Sequence, residues 1–450
     1  MSQSRANQVI PEGYYETEVG VLPNDWQCVP LGQFSPFVTS GSRGWASYYS
    51  EHGAPFVRIT NMFRDSIYLD MENTRFVLLP PESSEGKRTS LQNGDILISI
   101  TADIGICSYV DDCLPKPAYI NQHIALVRID NSRVNSKFVS YFLSSENVQK
   151  LFLGSADQGA KAGMNLNAIR KICTALPHIN EQTAIANALS DIDALLTALE
   201  KILTKKQTIK KATMQQLLTG KKRLSEFVLH TDGEKKGQPK GMKRSELGEI
   251  PEDWDAIKMG ELANIQRGAS PRPIDSPIWF DRNSEVGWLR ISDVTRTSKY
   301  LTETTQGLSK LGIENSRYVS SGNLVMSICA TVGKPILTRK HLCIHDGFVV
   351  FKNLQVEQNF MYYALKDLEN EWGKQGQTGS QMNLNTDLIN RTYVAIPRLE
   401  EEQTTIATIL SDMDEEIQKL KQRLSKTRQI KQGMMQELLT GRTRLPFKKD

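Results

Sequence analysis

The chain is written twice. Residues 182–224 read QTAIANALSDIDALLTALEKILTKKQTIKKATMQQLLTGKKRL, and residues 403–445 read QTTIATILSDMDEEIQKLKQRLSKTRQIKQGMMQELLTGRTRL. At a constant offset of 221 the two stretches share 21 identities in 43 ungapped positions. An internal repeat limits the fold more than any local propensity, because both copies must solve the same folding problem. The match extends outward. A Gly-x-apolar-Pro-x-x-Trp element occurs as Gly20, Leu22, Pro23, Trp26 and again as Gly248, Ile250, Pro251, Trp254. PFVRITNM (55–62) answers GWLRISDV (287–294), and GDILISI (94–100) answers GNLVMSI (322–328). Met-Asn-Leu-Asn recurs at 164–167 and 382–385, and Ala-Leu-Pro (175–177) and Ala-Ile-Pro (395–397) lead into the repeated stretches.

Each copy joins a variable globular part to a preserved helix. FVRIT, DILISI, HIALVRI, WLRIS, NLVMSI and GFVVF are β-branched and aromatic runs bounded by turn residues, which predicts strands. Helical spacing predicts shorter helices at 136–152 and 357–372. The fold class expected is α+β: two tandem α/β domains, separated and joined by two long antiparallel coiled-coil helices, with an internal pseudo-two-fold duplication. The segments are an N-terminal arm (1–27), a first globular domain (28–177), a central helix (178–224), a linker with the repeat element (225–254), a second domain (255–397) and a C-terminal helix (398–450).

In the first helix Ile185, Leu189, Ile192, Leu196, Leu199 and Leu203 step by fours and threes. Ile406, Leu410, Met413, Ile417, Leu420 and Leu424 do the same in the second. This alternation is a coiled-coil seam. Gly220 and Gly441 stand where a helix C-cap belongs. About 38 helical residues span roughly 57 Å, too long for a small domain to cover, so the helices should pair with each other. The other way to cover the seams is a four-helix bundle between two chains. Both helices are basic, with 8 basic against 3 acidic residues in the first and 8 against 5 in the second.

Composition excludes several classes. The 450 residues carry 55 basic and 51 acidic groups, a net +4, too even for a protein that binds by bulk positive charge. No apolar run reaches membrane-spanning length, and the start lacks signal-peptide sections, so a cytoplasmic protein is expected. The six cysteines, Cys28, Cys107, Cys113, Cys173, Cys329 and Cys343, form no CxxC pair and fit reduced thiols. His341, Cys343 and His345 alternate along one expected strand, a possible zinc face. They lack a fourth ligand, and the matching PAYIN (117–121) has none of them, so the reading is a sheet face and no metal. GSADQGAK (154–161) resembles a phosphate loop but has Ala160 where lysine is needed. Asn-Pro-Pro-aromatic, Gly-x-Ser-x-Gly and dinucleotide motifs are absent, so no catalytic residue is assigned.

Two polar, glycine-containing loops differ between the copies, TSGSRGWASYYSEHGAP (39–55) and QRGASPRPIDSPIWFDR (266–282). Arginine can bridge guanine, amides can bridge adenine, and hydroxyls can bond phosphate. The DNA-contact candidates are Ser42, Arg43, Tyr48, Asn61 and Arg64 in the first half. In the second they are Arg267, Ser270, Arg272, Arg282, Asp293 and Arg296. Trp45, Trp279 and Trp288 read as core. Arg58 and Arg290 occupy equivalent positions, which favours a shared structural role.

Taken together, the twin helices ending in LLTGKKRL and LLTGRTRL, the paired Pro-x-x-Trp elements, the GDILISI-like strands and the MNLN…ALP/AIP approaches resemble the specificity subunit of a type I restriction–modification system. The resemblance runs from about residue 14 to 445. It implies a non-catalytic DNA-binding subunit whose two globular parts are target-recognition domains, each reading half of a split, asymmetric site. The helices would set the unread spacer and dock two modification (methyltransferase) subunits. Restriction/translocase subunits would join for cleavage. S-adenosylmethionine, ATP and Mg2+ would belong to those partners, with no cofactor in this chain and no membrane association. The alternatives are the recognition component of a nuclease-free methylation or decoy system, or a coiled-coil scaffold for proteins.

Overall fold

The computed structural model describes residues 10–80, 82–130, 132–155, 163–375 and 384–446. Most of the glycine-containing 154–161 stretch therefore lies outside the described residues, as do Met382 and Asn383 of the second MNLN. The chain forms two compact units, Met1–Lys201 with Gln422–Asp450, and Ile202–Lys421. Both boundaries fall inside a long helix, Ile179–Leu218 or Glu400–Leu438. The packing units thus differ from the consecutive segments read along the chain: each contains one globular domain, the start of one long helix and the end of the other.

In the first unit an antiparallel sheet runs in the order Phe37–Ser40, Ile124–Arg128, Ile96–Ser99, Cys107–Tyr109. Leu97 lies opposite Leu126 and Ile96 opposite Val127. One face, with Ile96, Ile98, Ala125 and Val127, packs on Phe138, Val139 and Phe142. The other, with Leu97, Ile124 and Leu126, packs on Val57 and Ile120 of a second sheet. Burial on both faces is why these strands read as unbroken apolar runs instead of alternating ones. The second unit repeats the plan. Met326, Val349 and Phe351 face Phe360 and Met361. Val325, Phe348 and Val350 face Leu289, Leu342 and Ile344.

Two expected strands stop early. FVRIT is extended only to Val57 and WLRIS only to Leu289, after which come a 3-10 turn, Ile59–Asn61, and a helix, Ile291–Arg296. The side chains of Asn61 and Asp293 cause this: each accepts the backbone N–H of the arginine three residues earlier, at 3.0 and 3.1 Å, which turns the chain. The expected helix at 136–152 is two, Ser136–Leu143 and Glu146–Ser155. At the break the Ser144 hydroxyl bonds back to the Ser140 carbonyl at 2.9 Å. The expected helix at 357–372 is Gln358–Gln375. The repeated MNLN places helix caps: Asn165 accepts from the Ala168 N–H, and Asn385 from the Leu388 N–H.

The repeated sequence converges on one arrangement, built once in each unit. In the first, the Glu181 carboxylate is fully buried and accepts from Trp26 Nε1 at 3.3 Å. Arg444, from beyond the end of the second long helix, bonds Glu181 and grips Asp25 at 2.8 and 3.0 Å. Its guanidinium lies 5.6 Å from the Trp26 ring centre. In the second unit buried Glu402 accepts from Trp254 Nε1 at 3.3 Å, and Arg223 bonds Glu402 and Asp253. Arg223 lies 5.7 Å from the Trp254 ring centre. Both closing glycines have a left-handed φ of +68°, and a Cβ would meet Pro251 at 2.5 Å for Gly220 or Pro23 at 2.4 Å for Gly441. The Leu-Thr-Gly and Pro-x-x-Trp elements were repeated together because they pack against each other.

Antiparallel helix pairing is visible inside each unit. Asp193–Lys431 and Glu200–Arg428 pair at 2.7 Å in the first. Lys206–Glu416 and Lys210–Asp414 pair in the second. Asp193 also accepts from Tyr141 at 2.7 Å, and its counterpart Asp414 from Tyr363 at 2.9 Å. The seam has two roles rather than one. Ile185 and Leu189 enter the first domain's core with Leu438 and Leu439, while Ile406 and Leu410 enter the second's with Met214, Leu217 and Leu218. The domains thus cover the first turns, so the seam residues expected to pair the helices also pack on a domain core there. Leu196, Leu199, Ile417 and Leu424 are buried along the middle, and Ile192, Leu203, Met413 and Leu420 are half-buried.

One residue is particular to the second unit. Lys299, 8% exposed, donates to Ser411 at 2.8 Å and lies 4.7–5.3 Å from the ring centres of Tyr300, Tyr362 and Tyr363. Burial brings its ammonium down to about 8, with Asp414 and Glu357 opposing the fall and Lys210 and Arg339 adding to it.

Two outcomes follow from these contacts. Arg444→Ala strands a buried carboxylate and should destabilise the first unit by about 3 kcal/mol. Glu181→Gln in the same chain should recover part of that loss, and denaturant unfolding of the single and double variants measures both. For Lys299, the unfolded chain holds its proton up to a higher pH than the fold does. The charged form's cost is therefore present below the folded value and is relieved as pH rises from about 8. The second unit's unfolding midpoint should climb from about pH 8 to about pH 9, where unfolded tyrosines begin to titrate, relative to Lys299→Met. Parallel curves for the two proteins would contradict this.

Candidate nucleic-acid interface

Both variable loops leave their sheets through the same tight crossing. A Cβ on Gly41 would sit 2.4 Å from the Ile120 carbonyl oxygen, and one on Gly268 would sit 2.0 Å from that of His345. Only glycine lets the backbone pass so close, and the two positions correspond in the two domains.

Beyond Gly41 the first loop is held by the short helix Ser84–Thr89. One Glu85 oxygen accepts from the Ser42 backbone N–H at 3.0 Å and from Trp45 Nε1 at 2.7 Å. Arg88 bonds the Ser42 hydroxyl at 2.8 Å and also Thr39 and the Ser40 carbonyl. Burial pushes the Glu85 carboxyl up, but the bonds from Ser42 and Trp45 outweigh it, and the group lies below its ordinary value. Trp45 is buried and stacks on Phe56 at 4.8 Å, a core role. The loop surface presents Arg43, exposed and without an ion pair among the described residues, together with Tyr48 and Tyr49.

In the second loop Asp346 does the holding. Ser270 donates to its carboxylate at 2.7 Å, and Arg267 Nε donates to its backbone carbonyl at 2.7 Å. The Ser270 hydroxyl, more than the charges of His345 and Arg267, keeps this carboxyl low. Arg272 extends outward, its side chain 74% exposed and 4.0 Å from Asp346. Trp279 is buried and ties its Nε1 to the Pro273 carbonyl at 2.7 Å. Arg282 is exposed.

The remaining candidates are not brought to these surfaces. Asn61 is 1% exposed, and its amide is committed to Arg58 N–H and the Asp70 carbonyl. Asp293 is 4% exposed and accepts from Arg290, Arg296 and Thr305. These two groups cap turns and are not free to read bases, which corrects the sequence reading. Arg64 is engaged by Asp103, Gln149 and the Ile104 carbonyl, and bonds within its own domain. Arg296 is exposed but paired with Asp293 at 3.0 Å. Arg43, Tyr48, Arg272 and Arg282 thus remain as outward-facing side chains. Ser42, Arg267 and Ser270 serve the loops' internal bonding.

The strand Leu342–Ile344 buries Cys343 with Trp279, Trp288 and Leu308. His341 Nδ1 meets the Tyr318 hydroxyl at 2.7 Å, and His345 Nδ1 accepts from the Gly347 N–H at 2.9 Å. Among the described residues, the sets of three ligating-type groups within 4.8 Å of one another lie elsewhere: Glu18, Cys28 and Cys173, and Asp111, Asp112 and Cys113. Sequence reasoning missed Glu85, Arg88 and Asp346. Glu85 is 43 residues from Ser42, and no spacing rule links them.

The family model for the type I restriction modification DNA specificity domain matches residues 23–211 and 251–427, one match in each repeat. A Methanocaldococcus jannaschii protein named as the MjaX type I restriction enzyme specificity subunit is 24% identical, over 96% of this chain and 97% of its own. The MjaVIII specificity subunit of the same organism is 23% identical over 94% of each. The fold is similar to the crystal structure of the S subunit of a type I restriction–modification system from M. genitalium, with a TM-score of 0.56 at 15% identity, covering 92% of this chain and 96% of that one. It is also similar to a chain solved in work on complex assembly and conformational transition of the type I system, with a TM-score of 0.52 at 15% identity over 94% and 99%. Matched in both of its repeats, this chain belongs to the type I restriction–modification DNA specificity family.

Proposed function

We propose that the chain reads a two-part DNA sequence, the first domain taking one half through Arg43 and Tyr48, and the second the other half through Arg272 and Arg282. The observation that carries this is the pair of loops. They leave equivalent sheets through equivalent glycine crossings yet present different side chains, as a reader of an asymmetric site requires. Guanidinium groups on such loops suit the major-groove edge of guanine, and phosphate contacts from neighbouring polar groups set register. Two weak half-site contacts carried on one chain reinforce each other.

The long helices serve as the spacer. Forty residues of helix rise about 60 Å, more than one DNA turn of about 34–36 Å. Their outer faces, with Ile202, Ile209 and Ile430 exposed, suit the docking of two modification subunits, and restriction/translocase subunits would join that assembly. Catalysis, with S-adenosylmethionine, ATP and Mg2+, belongs to those partners, and the complex works in the cytoplasm on chromosomal DNA. No helix among the described residues is long and apolar enough to cross a membrane.

Genome-wide adenine methylation, mapped with the chain present and deleted, tests the role. Loss of one split, asymmetric motif on deletion is expected, whereas an unchanged methylation map in a strain that expresses the system would favour a protein scaffold. Arg272→Ala should cost roughly 1–3 kcal/mol of discrimination at a base in one half and leave the other half intact. Removing four residues from the first long helix should change the spacer tolerated in the methylated motif, and an unchanged spacer would sink the ruler.

A further inference from the structure

The two loops share a way out of the sheet but not a support, and the difference lies in two carboxylates. Glu85 reaches the first loop from the helix Ser84–Thr89, and Asp346 reaches the second from the turn after the strand Leu342–Ile344. We propose that Glu85 and Asp346 are positioning residues for DNA reading, each fixing the geometry of its own domain's loop and so setting the base preference of one half-site. This deepens the two-part reading above and rests on it.

The bonding is specific to the loop. Glu85 takes both the Ser42 N–H and Trp45 Nε1 on one oxygen, so it bridges the segment on either side of Arg43. Arg88, 3.8 Å from Glu85, holds Thr39, the Ser40 carbonyl and the Ser42 hydroxyl, which leaves the backbone on the approach to Arg43 little freedom. In the second domain Asp346 holds Ser270 two residues before Arg272 and meets the Arg272 guanidinium itself at 4.0 Å. Reading a base edge through two parallel hydrogen bonds demands placement within about 0.5 Å. A loop with an arginine at its tip meets that only if its base is fixed. Both carboxyls lie below their ordinary values, so both are charged at neutral pH and accept these bonds in their stronger, ionic form. Glu85 does bond Trp45 of the core, but neither carboxylate is buried as Glu181 and Glu402 are: their side chains are 31% and 47% exposed, a condition for altering a loop without unfolding a domain.

The experiment is selection of binding sites from a randomised duplex library by the chain assembled with its modification subunits. Wild type is compared with Glu85→Ala, Glu85→Gln, Asp346→Asn and Ser270→Ala. Glu85→Ala should lower base preference at one or more positions of a single half by roughly five-fold or more, the lower end of what one base contact is worth. Glu85→Gln keeps an acceptor oxygen and should retain more of that preference than alanine does. Asp346→Asn and Ser270→Ala should act together on the opposite half. Unchanged preferences, an even loss across both halves, or effects of the Glu85 and Asp346 variants on the same half would each overturn the proposal. A wild-type assembly that enriches no two-part sequence would instead overturn the reading beneath it, which keeps the two failures apart.

Discussion

A carboxylate without solvent is tolerable only against a cation, and each long helix of this protein begins with one. Glu181 and Glu402 are 0% and 1% exposed, and the arginine that answers each comes from beyond the end of the other helix. Breaking such a pair costs more than forming it yields, because the remaining charge cannot be hydrated. The contact therefore acts less as a source of stability than as a selector of arrangement. A helix slipped by one turn would bury Glu181 without Arg444. The tryptophan Nε1 and the flanking aspartate complete the set, so the short Pro-x-x-Trp element is the third member of a lock whose other members lie far along the chain.

The same logic separates the framework from its reading surfaces. Tyr141–Asp193–Lys431 and Tyr363–Asp414–Lys210 repeat faithfully, binding each domain to both helices that pass it. One step away the copies diverge: Ser190 meets the Tyr68 hydroxyl, while its counterpart Ser411 meets the Lys299 ammonium. A hydroxyl can accept from either, so the helix residue stays while the domain residue changes. Conserving the polar group on the helix and varying its partner lets the domains drift without loss of satisfied hydrogen bonding.

Much of this was legible because duplication exposes framework residues. Glu181 and Glu402, and Arg223 and Arg444, keep the same offset of 221 as the helix match, and Glu181 lies just one residue outside the matched stretch. Apolar runs located the doubly buried strands for the same reason. What periodicity could not give is where side chains overrule it. FVRIT and WLRIS carry strand propensity through five residues, yet Asn61 and Asp293 turn the backbone after the second. Asn61, the one amide among the DNA-contact candidates, is spent inside that turn. A short polar side chain four residues after a strand's last apolar position suits a cap as well as a ligand, and only burial tells them apart.

The reading loops were legible as loops but not in their support, and the reason is physical. Gly41 and Gly268 mark a crossing that backbone geometry imposes on both domains, so the glycine recurs. The groups that then hold the chain are Glu85 from a helix in one domain and Asp346 from a turn in the other, residues at non-equivalent positions. A loop and its anchor must therefore have changed together. Moved alone onto the other domain, the first loop would leave the Ser42 N–H and Trp45 Nε1 without Glu85, two donors aimed at an empty place, and the guanidinium between them would lose its fixed origin. In this fold the unit that carries specificity is the loop with its carboxylate, and the glycine crossing is the joint at which that unit meets the common framework.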